Sequence, residues 1–198
     1  MRVAGILLAA GEGTRLGRPK ALIEVGGLTF AERGVALLRD GGADPVLVVT
    51  GAVPVTLPGV VTVHNRDWTT GMGSSLATGL HALAETDVGA AIVALADQPL
   101  IGAEAVRRLI AAYIGGASVA VACYDGAHRN PVLIARDYWP SVLQLAIGDT
   151  GARPFLQANP DLITSVECGD TGSPDDVDTA ADLARVQAVA TVRSEEKP

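Results

Sequence analysis

Hydrophobic positions along the chain fall into short continuous runs separated by amphipathic stretches. Val3 to Ala9 is apolar throughout and empties into a glycine-rich turn. Pro45 to Thr50, Val60 to His64, Ala90 to Ala96 and Ser118 to Cys123 repeat the pattern, with Pro131 to Ala135 and Leu162 to Glu167 as two further candidates. Runs that are apolar on both faces predict strands in a sheet covered on both sides. Between them the apolar positions recur at helical spacing. Leu28, Ala31, Val35 and Leu38 form one stripe over Leu28 to Arg39; Leu76, Leu80 and Leu83 form another over Ser74 to Ala84. Ala103 to Tyr113, Thr150 to Gln157 and Thr179 to Val189 read the same way. Strand and helix alternate over the first 125 residues, which predicts an α/β fold with a doubly wound, mostly parallel sheet. The periodicity is weakest between Asp125 and Asp176, where a small inserted substrate lobe is expected. The organisation predicted is one domain over residues 1–190 and a disordered polar tail over 191–198.

The chain has 198 residues, 48% of them hydrophobic and 19% charged, enough apolar content for one real core. Its formal net charge is −7, which argues against a nucleic-acid partner, because phosphate contacts need a basic face. Cys123 and Cys168 form no CxxC pair, so neither a disulfide scaffold nor a cysteine-rich zinc site is expected. No apolar run reaches membrane-spanning length and none precedes a cleavage site, so a soluble cytoplasmic protein is expected. Of the 15 basic residues 13 are Arg, and the two lysines are Lys20 and Lys197. Either codon bias converted lysines to arginines, or Lys20 needs the compact ammonium that a planar guanidinium cannot replace.

The stretch Leu7 to Lys20 reads LLAAGEGTRLGRPK. A buried strand leads to Gly11 and Gly13, then to Arg15, Gly17, Arg18 and Lys20. Glycines let backbone N–H groups approach an anion closely, and three cations within six positions suit a polyphosphate. A Walker loop requires GxxxxGK[ST], and here Gly17 is followed by Arg-Pro-Lys. A dinucleotide fingerprint requires GxGxxG, and here the third glycine comes one residue late, with Pro19 interrupting the helix that should follow. The stretch resembles the LAAGxGxRxGxxK signature of MobA-like NTP transferases, the molybdopterin nucleotidyltransferases among them.

Ala90 to Leu100 runs apolar to Ala96 and then presents Asp97, with Pro99 stopping the strand. A carboxylate at the end of a buried strand needs a partner: it either caps the following turn or holds Mg²⁺ against a bound phosphate. LADQPL resembles the strand end of the same family, where this aspartate holds the metal. Near the other terminus, Thr179 and Asp182 fit a capping box, which leaves Asp178 free for another role; Asp175 and Asp176 read as a solvated helix entrance. Asp178 also matches the family's DxDTxxDL ending, which implies a place near the metal.

The resemblance extends over Val3 to about Leu183 and implies a Rossmann-like nucleotidyltransferase fold. It implies a site in which Ala9, Ala10, Gly11, Gly13, Arg15, Lys20 and Ser74 or Ser75 bind the nucleotide. Lys20 and Arg15 are the expected catalytic cations, and Asp97 and Asp178 the Mg²⁺ ligands. On the acceptor side it points to Arg153 in GDTGARPFL and to His128 and Asn130 in DGAHRNPVLI. There the chain departs from the family: His128 stands where Arg is usual and Arg129 where Gly is usual. Ala9 and Ala10 before Gly11 match the relatives that use CTP rather than GTP. The implied reaction moves CMP, or another NMP, from the triphosphate to the terminal phosphate of molybdopterin, with a molybdoenzyme as client. His64 and His81 lack metal-ligand spacing, and no nucleophile stands out. Two other classes remain: an NAD(P)-dependent oxidoreductase, with Glu32 at about the ribose-binding distance from the glycines but inside a predicted helix, and a non-catalytic molybdenum-cofactor carrier or chaperone.

Overall fold

The computed structural model describes residues 2–195, with side chains described through 190. In chain order the strands are β1 (Val3–Ala9), β2 (Glu24–Val25), β3 (Leu28–Thr29), β4 (Val46–Thr50), β5 (Val61–His64), β6 (Ala90–Leu95), β7 (Val119–Tyr124), β8 (Ala127–Ala135) and β9 (Ile163–Glu167). The α-helices are α1 (Phe30–Asp40), α2 (Met72–Ala82), α3 (Ala103–Ile114), α4 (Trp139–Leu145), α5 (Arg153–Ala158) and α6 (Ala180–Glu195). Seven strands form one sheet in the order β5-β4-β1-β6-β8-β7-β9, parallel except for β8, which runs antiparallel to both neighbours. The expected α/β class and mostly parallel sheet are therefore found.

Burial explains the layering. Val35 and Leu38 of α1, with Val106 and Leu109 of α3, cover one sheet face. Leu76 and Leu80 of α2, Trp139 and Val142 of α4, and Phe155 of α5 cover the other. Strands covered on both faces lose the polar alternation of a solvated sheet, which is why β1, β4, β6 and β7 read as unbroken apolar runs. The stretch 125–176, where the sequence points to an inserted lobe, supplies β8 and β9 to the main sheet and α4 and α5 to a helical layer. The tail expected from residue 191 overlaps α6, which extends to Glu195; residues 196–198 lie outside the described residues.

Differences from the sequence reading sit at element ends. Helix α1 begins at Phe30 because Thr29 closes a capping box with Glu32, and Leu28–Thr29 pairs with Glu24–Val25 in a two-stranded hairpin. Helix α2 begins at Met72, ahead of the two serines. Strand β8 extends back to Ala127, because antiparallel pairing with β7 orders the polar residues His128 and Arg129 that carry no apolar signal.

Two features position a site. The chain leaves β1 toward β4 and β5 on one side and reaches β6 on the other, so the strand order reverses between β1 and β6. The carboxyl ends of strands at such a reversal form a crevice, where open α/β sheets bind ligands. A third apolar cluster joins Ile23, Val25 and Phe30 to Val177, Leu183 and Val186. It ties the segment after the glycine loop to the segment before α6.

Close packing also fixes where α1 crosses the sheet. A Cβ on Gly34 would come within 2.4 Å of Leu7 Cδ1. Gly34→Ala gains helix propensity of about 1 kcal/mol but overpacks the buried Leu7, a cost of about 1–3 kcal/mol. Net destabilisation is expected, read as a lower urea midpoint at unchanged slope; a raised midpoint would show that the α1–β1 contact is looser than described.

Candidate active site

The turn after β1 is shaped by glycine chemistry. Gly13 has φ +69°, and a Cβ there would lie 2.2 Å from the Arg18 carbonyl oxygen, so only glycine lets the loop fold back on itself. Among the described residues no acceptor takes the N–H groups of Gly11, Glu12 or Gly13. These three residues line a cavity of about 1460 Å³, and free backbone N–H groups beside a cavity suit an anion. After Pro19, a short 3₁₀ turn (Lys20–Leu22) sets Lys20 at the cavity and buries the neighbouring Ala21.

Asp97 lies just past the end of β6, across the crevice from the glycine loop. Lys20 Nζ donates to Asp97 at 2.8 Å and to Asp178 at 2.5 Å. Arg15 reaches the other oxygen of Asp178 at 3.4 Å. Lys20 is only 18% exposed, and Asp97 25%. Burial disfavours the charged ammonium, but the charges and hydrogen bonds of Asp97 and Asp178 outweigh it and raise the Lys20 pKa above its ordinary value. Residues 20, 97 and 178 are thus brought to one point.

The segment holding Asp178 is fastened to the turn that follows β6. The Val177 N–H donates to the Asp97 carbonyl at 2.9 Å. The Gln98 amide donates to the Pro174 carbonyl at 3.0 Å and to Asp176 at 2.8 Å. The Thr179–Asp182 capping box forms as expected: Asp182 accepts from the Thr179 hydroxyl and from the N–H groups of Thr179 and Asp178. Those hydrogen bonds, the Thr179 hydroxyl foremost, pull the Asp182 carboxyl down to about 2. The Asp178 side chain is free of capping duty and turns to Lys20.

Of the residues expected at the nucleotide side, Ala9, Ala10, Gly11, Gly13, Arg15, Lys20 and Ser75 line the cavity; Ser74 does not. The Ser74 hydroxyl donates toward the carbonyls of Asp67 and Gly71 and accepts from Asn65. Ser75 also accepts from Asn65, at 3.0 Å. The serines do not cap α2; Asp149 from the distant 148–150 turn accepts from the Met72 N–H instead. Helix α5, expected from Thr150, begins at Arg153 with Ala152 as its N-cap. On the acceptor side His128, Asn130 and Arg153 line the cavity, and His128 Nε2 lies 2.6 Å from the Ser165 hydroxyl. Arg129 lines it as well.

Sequence reasoning passed over Trp68, Asn65 and Gln98. Trp68 lines the cavity beside the glycine loop, because Gly51 leaves room for it: a Cβ at Gly51 would sit 2.5 Å from Trp68 and 2.8 Å from Ala10. Asn65 and Gln98 are almost fully buried polar residues whose value is positional, and nothing in their sequence context marks them.

Two carboxylates that share one ammonium can also face one divalent ion, and their hard oxygens suit Mg²⁺ or Mn²⁺. Among the described residues no group of three or more His, Cys, Asp and Glu could hold a metal, so such an ion would take its other ligands from phosphate and water. No helix among the described residues is long and apolar enough to cross a membrane.

Comparison with known proteins gives the family and the fold. The MobA-like NTP transferase domain profile matches residues 5–163. The nicotine blue oxidoreductase of Paenarthrobacter nicotinovorans is 36% identical, over 93% of this chain and 96% of that protein. A probable molybdenum cofactor guanylyltransferase of Mycobacterium avium is 38% identical, over 56% of this chain and 57% of that protein. The crystal structure of the Rv0371c homologue from Mycobacterium sp. strain JC1 superposes with a TM-score of 0.85 at 30% identity, covering 98% of this chain and all of that one. Rv0371c of Mycobacterium tuberculosis, crystallised with manganese, superposes with a TM-score of 0.77 at 23% identity, covering 95% of this chain and 99% of that one.

Crowding of carboxylates has a measurable consequence. Loss of water, then the charges of Asp97 and Asp178, push the Asp176 pKa up, against the pull of the Gln98 amide and Lys20. An acid with a raised folded pKa costs nothing while both states are protonated; the penalty enters as pH rises past the ordinary value of 3.8. Asp176→Asn is therefore expected to raise the metal-free urea midpoint at pH 7, with the gain shrinking toward pH 4. A gain of equal size at both pH values would show that charge is not its source.

Proposed function

Because the chain belongs to the MobA-like NTP transferase family, we propose that it transfers a nucleotidyl group from a nucleoside triphosphate to a phosphate-bearing acceptor, releasing pyrophosphate. The observation that carries this reading is the meeting of Lys20, Asp97 and Asp178 beside a glycine loop with unpaired N–H donors. An acceptor phosphate oxygen attacks the α-phosphorus; the new P–O bond forms as the bond to the β-phosphate oxygen breaks. The reaction brings anions together, so the protein's task is alignment and charge neutralisation rather than covalent chemistry. The N–H groups of Gly11 to Gly13, with Arg15 and Lys20, hold the triphosphate and the charge that grows on the leaving pyrophosphate. Asp97 and Asp178 would hold Mg²⁺, which when bound offsets phosphate charge. Arg153, His128 and Asn130 face the acceptor.

The finer reading is CTP as donor, on the strength of Ala9 and Ala10, and molybdopterin as acceptor. It places the enzyme in the cytoplasm with a molybdoenzyme as client. The molybdenum cofactor guanylyltransferases among the relatives support the acceptor. A second reading, a dinucleotide-dependent reductase, is favoured by the likeness to nicotine blue oxidoreductase. Against it, Glu32, the residue at ribose distance, is held by Thr29 through its N–H at 2.7 Å and its hydroxyl at 2.8 Å. A carrier would bind the product without releasing pyrophosphate.

The test is pyrophosphate release from each nucleoside triphosphate in turn, with Mg²⁺ and molybdopterin. Release with CTP above the others is expected, and no release with any of them overturns the reading; NADPH oxidation instead would select the reductase. Lys20→Ala is expected to lose about 10²-fold or more in turnover, with a much smaller change in thermal stability. Near-normal turnover in that variant would remove Lys20 from the reaction.

A further inference from the structure

Asp97 and Asp178 are engaged twice over. In the free protein the Lys20 ammonium takes an oxygen from each, at 2.8 Å and 2.5 Å. The same two carboxylates are those that would hold a divalent ion. The ammonium and a dication compete for the same two carboxylates and repel one another at contact distance. A dication arriving alone must therefore displace a partly buried ammonium, which leaves for a cavity without its two counter-charges. A triphosphate changes this balance, since its oxygens replace the carboxylates as partners of Lys20.

We propose that Lys20 is an exchangeable counter-ion. It closes the Asp97–Asp178 pair in the free protein, and it yields the pair to a divalent ion when a triphosphate takes the ammonium. The second half of this exchange rests on the triphosphate reading above; the competition between ammonium and metal does not. Two consequences follow. Metal alone binds weakly, and metal and triphosphate strengthen each other's binding by the same factor. The arrangement also keeps the two acidic groups together and paired before any ligand arrives.

The test measures Mn²⁺ binding to the full chain, without nucleotide, from the loss of the free-ion paramagnetic resonance signal. Lys20→Met and Lys20→Gln are each expected to bind Mn²⁺ about tenfold more tightly than the wild type. Adding Asp178→Asn to Lys20→Met is expected to abolish the gain. Mn²⁺ binding no tighter than wild type in both single variants overturns the proposal. If removing Lys20 weakens the fold, Mn²⁺ is expected to raise the variants' Tm more than the wild type's, and the lack of that excess counts equally against it. A second arm adds the α,β-methylene analogues of CTP and GTP, correcting for Mn²⁺ on free nucleotide. One of them is expected to tighten Mn²⁺ binding to the wild type, and to do so less in Lys20→Met. A gain in the variants with no effect of either analogue on the wild type upholds the competition but overturns the triphosphate reading and the exchange that depends on it.

Discussion

One ammonium held between two carboxylates organises this molecule. Lys20, Asp97 and Asp178 come from the beginning, middle and end of the chain, and their contacts require three separate segments to be placed to within a few tenths of an ångström. The pair is costly to assemble, because Lys20 is largely removed from water. It persists because each charge has a partner and because the surrounding backbone gives the carboxylates little freedom to part.

The fold supplies that restraint in layers. The strand-order reversal between β1 and β6 opens the crevice and sets the glycine loop opposite Asp97. The small apolar cluster of Ile23, Phe30, Val177 and Leu183 fastens the chain just after Lys20 and just before Asp178. The Thr179–Asp182 cap and the Gln98 amide then fix the direction in which Asp178 points. The opposite side of the cavity is built from β8, the antiparallel strand, whose polar beginning is delivered to the same carboxyl edge by its pairing with β7. The residues proposed for the nucleotide and those proposed for the acceptor thus line one cavity over one edge of the sheet.

Much of this was legible in the sequence, for physical reasons. Strands buried on both faces leave unbroken apolar runs, so β1, β4, β6 and β7 announced themselves. Gly11 and Gly13 were readable because glycines let a loop turn tightly and bring its N–H groups close to an anion; that Gly13 lies against the Arg18 carbonyl was not. Asp97 stood out as a carboxylate at the end of a buried strand, and Asp178 as the aspartate that the capping box left over. Other features were not legible. His128 and Arg129 lie in a strand only because a neighbour pairs with them. Ser74 was expected at the nucleotide, but Asn65 and two carbonyls hold its hydroxyl, and the Met72 N–H that opens α2 is taken by Asp149, 77 residues further along the chain. Trp68 reaches the cavity because Gly51, on another strand end, makes room for it. Long-range pairing of this sort leaves no local pattern to read.

The relatives share the fold while their names span nucleotidyl transfer and redox chemistry, so the decision rests on what the cavity does with a triphosphate. The most direct measurement is a crystal structure with a non-hydrolysable nucleoside triphosphate and Mn²⁺, the metal located by its anomalous scattering. The account predicts phosphates against Gly11 to Gly13, the metal between Asp97 and Asp178, and the Lys20 ammonium moved onto phosphate oxygen. Nucleotide bound away from the glycine loop, or Lys20 still bridging both carboxylates with the triphosphate in place, would contradict it.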